Sequence, residues 1–257
     1  MRDPVPEAVL DLLARRAELL DRIAERPADK PALGDALGVS RSTVDRAVRE
    51  LAERGFIERC GDGYRTTAAG RLAAASYGEF RRRSEGIRAA ADVLDVLPPD
   101  APLDARALAG AEVVAADGGD PERPARRIAE LVGRADEVRG AGGLVADRYV
   151  RLYRDRILDG TAVRVVLAPA SLERLLAGHA DAVAAALETG LVELRESPDA
   201  PPFGLRLYSR DDETTMSVTV YDDDLRGIIC NDDPGAVEWA AEYVERIWND
   251  ARAIPTP

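Results

Sequence analysis

At 257 residues the chain is long enough for two modest domains, each with its own core. Its 47 acidic residues outweigh 35 basic ones, for a formal net charge of −12. One histidine, His179, and two distant cysteines, Cys60 and Cys230, leave little with which to build a disulfide framework, a CxxC metal site or His-centred catalysis. No apolar run approaches the roughly 18–20 residues of a membrane span. The opening "MRDPVPEAVLDLLARRAELLDRIAER" is charged throughout and lacks a signal-peptide core, so a cytoplasmic protein is expected.

The first predicted helix runs from about Pro6 to Glu25, with Val9, Leu13, Ala17, Leu20 and Ala24 forming one apolar stripe, and Pro27 breaks it. Asp29 suits the N-cap of a short helix, "KPALGDALG", with Pro31 in its first turn. Gly38 can supply the left-handed backbone of a tight turn, Val39 is the apolar residue expected to tuck beneath it, and Ser40 caps the next helix. On a wheel of about 100° per residue, Val44, Ala47, Val48 and Leu51 of that third helix share a core-facing arc. The opposite arc carries Ser42, Asp45, Arg46 and Arg49, with Arg41 beside it.

An arginine fork meets guanine O6 and N7 bidentately, and hydroxyls and first-turn amides suit phosphates. Asp45 fits that face less well: it can accept from cytosine N4 or orient a neighbouring arginine, but it repels phosphate. After Gly55, "FIERC-GDG-YRTT" predicts two short strands around a tight turn, a hairpin whose Arg59 and Arg65 suit a DNA backbone or minor groove. Helix–turn–helix followed by a hairpin is the order of a winged helix.

Residues 7–70 resemble the winged helix–turn–helix domains of bacterial and archaeal transcriptional regulators, above all in "LGVSRSTVDRAVRELAERGFIER" and "YRTTAAG". The resemblance implies that Ser40, Arg41, Ser42, Thr43, Arg46 and Arg49 occupy positions that meet double-stranded DNA.

The charge is unevenly spread. Residues 1–97 hold 17 basic and 17 acidic groups, whereas residues 98–257 hold 18 and 30. Lys30 is the only lysine among 35 basic residues. This composition resembles that of halophilic archaeal proteins, for which screening shortens the Debye length to about 3 Å at 1 M salt. Counterion release then contributes less to DNA affinity, so a neutral DNA module on an acidic carrier is physically reasonable.

Thr67 can cap a long helix reaching about Leu97, in which Phe80, Ile87 and Leu94 recur every seven residues beside Tyr77 and Ala91. That seam suits a homodimer, and it equally suits packing against the first helix of the same chain. Gly78 and Gly86 each weaken the helix by about 1 kcal/mol.

From Pro98 onward strands and helices alternate. "AEVVAA" reads as a strand and "ARRIAELVGRA" as a helix, "EVRGAGGLV" as a strand with a glycine loop and "RYVRLYRDRIL" as a helix. "AVRVVLA" is a strand, residues 171–189 a helix and "LVELRE" a strand. "FGLRLYS", "TTMSVTVY" and "LRGIIC" read as antiparallel strands before a terminal helix opened by Asp233-Pro234 and reaching about Ala253. The expected architecture is an α+β winged helix–turn–helix domain (1–67), a linker or dimerisation helix (68–97) and an α/β effector or sensor domain with a mixed sheet (98–257).

"LPPDAPLDARALAGAEVVAAD", "RYVRLYRDRILDG" and "YDDDLRGIICNDDPGAVEWA" resemble the effector domain of archaeal winged-helix regulators related to the methanogenesis regulatory family. That resemblance implies ligand-responsive regulation.

Enzymatic readings find little support. "GAGG" at 140–143 is not a GxGxxG fingerprint, and the phosphate loop GxxxxGK[ST] is impossible with Lys30 as the sole lysine. His179 is followed by Ala180 and Asp181, which rules out the His-x-Lys pair of phospholipase-D-type chemistry. The Asp-rich "YDDD" and "NDDP" loops read as acidic surface. No enzyme, cofactor or metal is expected. A small-molecule effector would lie outside the carboxyl ends of the strands, with Arg148, Tyr149, Tyr153, Arg206, Asn231 and Asp232 as candidate contacts. The function expected is a dimeric, sequence-specific transcriptional regulator; the alternative is a winged-helix protein–protein adaptor without base-specific DNA contact.

Overall fold

The computed structural model describes residues 6–116, 119–143 and 145–254. They form two compact units, Met1–Arg82 and Arg83–Pro257, and the division falls inside one long helix.

The first unit begins with α1 (Pro6–Glu25), α2 (Lys30–Leu37) and α3 (Arg41–Glu53). The Asp29 carboxylate accepts from the Ala32 amide at 2.9 Å and starts α2, with Pro31 in its first turn. Gly38 ends that helix at φ 64°, the left-handed region a side chain disfavours, and its amide donates to the Gly34 carbonyl. Ser40 Oγ accepts from the Thr43 amide and starts α3. Strands β1 (Ile57–Cys60) and β2 (Gly63–Thr66) pair antiparallel, with Cys60 opposite Gly63.

The core of this unit joins Leu12, Leu13, Leu19, Leu20 and Ile23 of α1 to Leu33, Val44, Ala47, Val48, Leu51 and Ile57. The buried face of α1 thus includes Leu12, Leu19 and Ile23, while Ala24 of the expected stripe is exposed. Val39 does not tuck beneath the turn. It is 37% exposed, and its backbone amide, donating to the Gly34 carbonyl, holds the turn in its place.

Helix α4 (Ala68–Leu94) starts at Thr67, whose hydroxyl donates to the Gly55 carbonyl and accepts from the Gly70 amide. Its first half lays Ala73, Ala74 and Tyr77 on the core of the first unit. It ends three residues earlier than expected, where the Leu97 amide turns back to the Leu94 carbonyl. Of the heptad positions, Phe80 and Ile87 are 54% and 47% exposed, whereas Leu94 packs against the core of the second unit.

The second unit is a mixed α/β fold. After a 3-10 turn (Ala105–Leu108) come β3 (Glu112–Ala115), α5 (Arg123–Arg134), β4 (Glu137–Ala141), α6 (Asp147–Leu158), β5 (Ala162–Leu167), α7 (Pro169–Glu188) and β6 (Val192–Glu196). Then follow β7 (Gly204–Arg210), β8 (Glu213–Tyr221), β9 (Leu225–Asn231), α8 (Pro234–Asp250) and β10 (Arg252–Ala253). Among the described residues these strands make one eight-stranded sheet in the order β10-β6-β5-β4-β7-β8-β9-β3. Strands β4, β5 and β6 are parallel neighbours, and every other pairing is antiparallel.

Strand β3 pairs with β9 at the far edge of the sheet. One sequence expectation is corrected here. The terminal helix stops at Asp250, because Arg252 and Ala253 add a short antiparallel edge to β6. The strand expected over "EVRGAGGLV" ends at Ala141, and its residue 144 lies outside the described residues.

Alternation along the strands splits two cores across the sheet. One face, with Leu205, Leu207, Met216, Val218, Val220 and Ile229, is covered by α8, the 3-10 turn and Ala90 and Val93 of α4. On the same side Trp248 lies between the Arg164 and Arg195 guanidiniums, with ring-centroid distances of 4.3 and 4.2 Å. The other face, with Val138, Val163, Val165, Leu167, Tyr208 and Ile228, is covered by α5, α6 and α7.

Candidate functional site

In the first unit, burial of Val44, Ala47, Val48 and Leu51 fixes which side of α3 meets water. Arg41, Ser42, Thr43, Arg46 and Arg49 are all exposed. At the N-terminus of α3 the Ser40 hydroxyl lies 2.9 Å from both Ser42 Oγ and Thr43 Oγ1. Three hydroxyls and the first-turn amides thus gather where the helix dipole favours an anion.

The acidic neighbours of this face are occupied. Asp45 Oδ1 is 2.7 Å from Lys30 Nζ, and this hydrogen bond pulls its carboxyl below the usual range. Glu50 Oε2 lies 2.9 Å from Arg16 Nε, and that bond lowers its carboxyl likewise. Asp45 is therefore tied to α2 by the chain's single lysine, a partner no helical wheel reveals. Among the described residues Arg41, Arg46 and Arg59 have no carboxylate within ion-pair distance. Arg49 is 4.0 Å from Glu53, and Arg65 is held by Glu58 across the hairpin at 2.7 Å. An open cleft of about 660 Å³ runs beside these groups, lined by Lys30, Gly34, Val39, Arg41, Arg59 and Tyr64.

The hairpin is seated by backbone. Ala28 and Tyr64 exchange amide–carbonyl bonds of 3.1 and 2.9 Å. Gly63, at φ 120°, brings the chain so close to Ala28 that a β-carbon would sit 2.6 Å from the Asp29 nitrogen. This close approach is what sets the hairpin beside α2, and sequence reading did not single it out.

The six candidate effector contacts in the second unit divide. Tyr149, Tyr153 and Arg206 come together around a partly open pocket of about 130 Å³ between the sheet and helices α6 and α7. Arg148 stands outside it, 2.6 Å from Glu122 with its guanidinium over the Tyr149 ring, 5.1 Å from the centroid. Asn231 is buried and spent on structure: Nδ2 donates to the Ala107 and Ala109 carbonyls at 3.1 Å, and Oδ1 accepts from the Asp233 amide at 2.9 Å. Asp232 is exposed at the start of α8 and does not line that cavity. The "GAGG" stretch acts as a cradle. A β-carbon on Gly140 would lie 2.9 Å from Arg206 Nη1, and one on Gly143 2.6 Å from Nη2.

The chain thus has a helical unit with an exposed cationic helix face, followed by a mixed α/β unit holding a pocket. Residues 121–250 match the family described as methanogenesis regulatory protein FilR1, middle domain, and residues 7–89 match the HVO_A0261 N-terminal domain. The chain belongs to the FilR1 middle-domain family. No curated protein matches it. Among solved structures it is similar to TrmBL2, an archaeal chromatin protein with a novel mode of DNA binding: 14% identity, 97% of this chain and 100% of that one, TM-score 0.42. It is similar also to Nuc, a phospholipase D family member of Salmonella typhimurium, at 15% identity, covering 56% and 97%, TM-score 0.42. A third likeness, to IclR of Thermotoga maritima, has 14% identity, coverage of 94% and 97%, and TM-score 0.23. No helix among the described residues is long and apolar enough to cross a membrane.

Proposed function

We propose that the chain is a DNA-binding transcriptional regulator rather than an enzyme. Its first unit acts as a winged helix–turn–helix and its second as an effector domain. Helix α3 enters the major groove with Ser42, Arg46 and Arg49 toward base edges, and Ser40, Arg41 and Thr43 hold phosphate. Hairpin β1–β2 sets Arg59 along the backbone, with Arg65 nearby. Asp45 contacts Lys30 rather than a base and keeps that lysine in place.

The observation that carries this reading is the exposed cationic face of α3. In a chain with 47 acidic residues, Arg41 and Arg46 make no ion pair among the described residues, while the carboxylates Asp45 and Glu50 are hydrogen-bonded to Lys30 and Arg16. Pairing two copies through α4, where Leu72, Phe80 and Ile87 are exposed, would match two half-sites. Ligand binding in the second unit would then alter the spacing of the two recognition helices.

Sequencing of genomic DNA captured by the full chain in molar potassium chloride tests the proposal. Discrete enriched sites, absent with Arg46→Ala, are expected. Capture without enriched sites, or enrichment unchanged by the substitution, contradicts it in favour of a protein–protein adaptor. Light scattering of the free protein reads the dimer.

A further inference from the structure

The cavity in the second unit carries a specific chemistry. Its walls are mainly apolar, with Ile157 of α6, Val163, Val165 and Leu167 of β5, and Leu175 and Val183 of α7, and Arg154 of α6 also lines it. A smaller pocket of about 40 Å³ adjoins it through Tyr149, Tyr153 and Arg206, which line both, and is also lined by Tyr208 and Thr219. Arg206 thus stands at the junction of the two spaces. It lies on β7, opposite Gly140 of β4, where the parallel half of the sheet meets the antiparallel half. Ligands of open α/β sheets gather at such changes of direction.

Arg206 has no carboxylate partner among the described residues. Nη1 donates to the Ala141 and Leu205 carbonyls at 3.0 and 2.9 Å, and Nη2 donates to the Gly142 carbonyl at 2.8 Å. A guanidinium has five N–H donors, so Nε–H and one Nη2–H remain. Those two form the edge that grips a carboxylate bidentately. Three carbonyls fix the fork of this half-buried arginine in position and leave its charge without a carboxylate partner among the described residues. Nearby, the buried Tyr149 hydroxyl makes no hydrogen bond of ordinary geometry, and the Arg148 guanidinium beside it lies 5.1 Å from the ring centroid. Burial raises the pKa of this hydroxyl, keeping it a neutral donor. A guanidinium without a carboxylate partner and a buried hydroxyl therefore share a largely apolar pocket, whose other lining cation, Arg154, is paired with Asp155.

We propose that this chamber binds a small monocarboxylic acid with an apolar body. The carboxylate takes the free edge of Arg206 and the Tyr149 hydroxyl, and the body lies against β5 and α7. A cavity near 150 Å³ holds benzene, so the 130 Å³ found here suits a ring or branched chain of about six carbons. The proposal rests on reading the second unit as an effector domain and names the ligand class that unit accepts.

The test uses the full chain, without DNA, in molar potassium chloride. Calorimetry compares benzoate and hexanoate with benzyl alcohol and hexanol. Replacing a charge-assisted bidentate contact by a neutral one should weaken binding about 10- to 100-fold. The acids are expected to bind saturably and the alcohols at least about tenfold more weakly, by the same reasoning. Arg206→Met should erase the difference between acid and alcohol. Ala182 of α7 also lines the pocket, and Ala182→Phe, which fills it and leaves Arg206 intact, should exclude both probes while the protein still melts cooperatively. Acids that bind no better than their alcohols, or no binding by either acid, overturn the proposal in the wild-type protein itself. Because DNA is absent from this measurement, such a failure leaves the capture of genomic sites by α3 standing, and failure of that capture leaves this result standing.

Discussion

Gly78 and Gly86 lie on the same helix and carry the same intrinsic penalty, yet the structure gives their replacement by alanine opposite signs. Around Gly78 a β-carbon would meet nothing within 4 Å, so Gly78→Ala gains helix propensity of about 1 kcal/mol. At Gly86 the helix backbone presses on the 3-10 turn. A β-carbon there would overlap the Leu108 carbonyl oxygen and lie 2.5 Å from its carbon. The obstacle is backbone, and Leu108 is 3% exposed within the core under α8, so it has nowhere to retreat. Overpacking of this kind costs about 1–3 kcal/mol, toward the upper end where backbone must shift. Against the gain of about 1 kcal/mol in propensity, Gly86→Ala should lose about 1–2 kcal/mol. At about 2–4 °C per kcal/mol for a unit of this size, its transition should fall roughly 2–8 °C. Differential scanning calorimetry of both variants in molar salt reads the two signs. A rise for Gly86→Ala like that for Gly78→Ala would refute the close approach of α4 to the turn.

Further predictions concern charge and exposure. Lys30→Ala should release the Asp45 carboxylate beside Arg41 and Arg46 and weaken DNA binding, and adding Asp45→Ala should restore part of the loss in anisotropy titrations. Because the Arg16 hydrogen bond lowers the Glu50 carboxyl below its ordinary 4.5, the stability from that pair is present above that pH and is lost as pH falls through the depressed folded value. The melting difference between wild type and Glu50→Gln should therefore be largest near neutrality and close as pH drops below about 4. Burial pushes the Cys230 thiol up to about 12, so in the native protein a thiol reagent should label the partly exposed Cys60 and reach Cys230 only in denaturant.

Periodicity and caps made the helices and strands legible. Asp29, Ser40 and Thr67 were readable as helix starts because capping is local chemistry, and the buried arc of α3 followed from its wheel. Contacts between distant segments were not readable. The partnership of Asp45 with Lys30 joins two helices, and sequence spacing offered only a misfit acid on a cationic face. The place of β3 at the sheet edge depends on β9, more than a hundred residues later in the chain. Residue type alone does not separate ligand contacts from structural ones: the fold brings Tyr149, Tyr153 and Arg206 together at one pocket but spends Asn231 on the 3-10 turn. Why "GAGG" carries glycines became clear only once Arg206 was seen lying against Gly140 and Gly143, from a strand some sixty residues on.

Whether the exposed face of α3 reads DNA is measured by fluorescence anisotropy in molar potassium chloride, with duplexes from the region upstream of the protein's own coding sequence or from captured genomic sites. Wild type should prefer such a site over its scrambled version, and Arg46→Ala should lose about 1–3 kcal/mol of that preference, the worth of one bidentate base contact. Equal binding to site and scramble, or a preference unchanged by Arg46→Ala, would contradict the account.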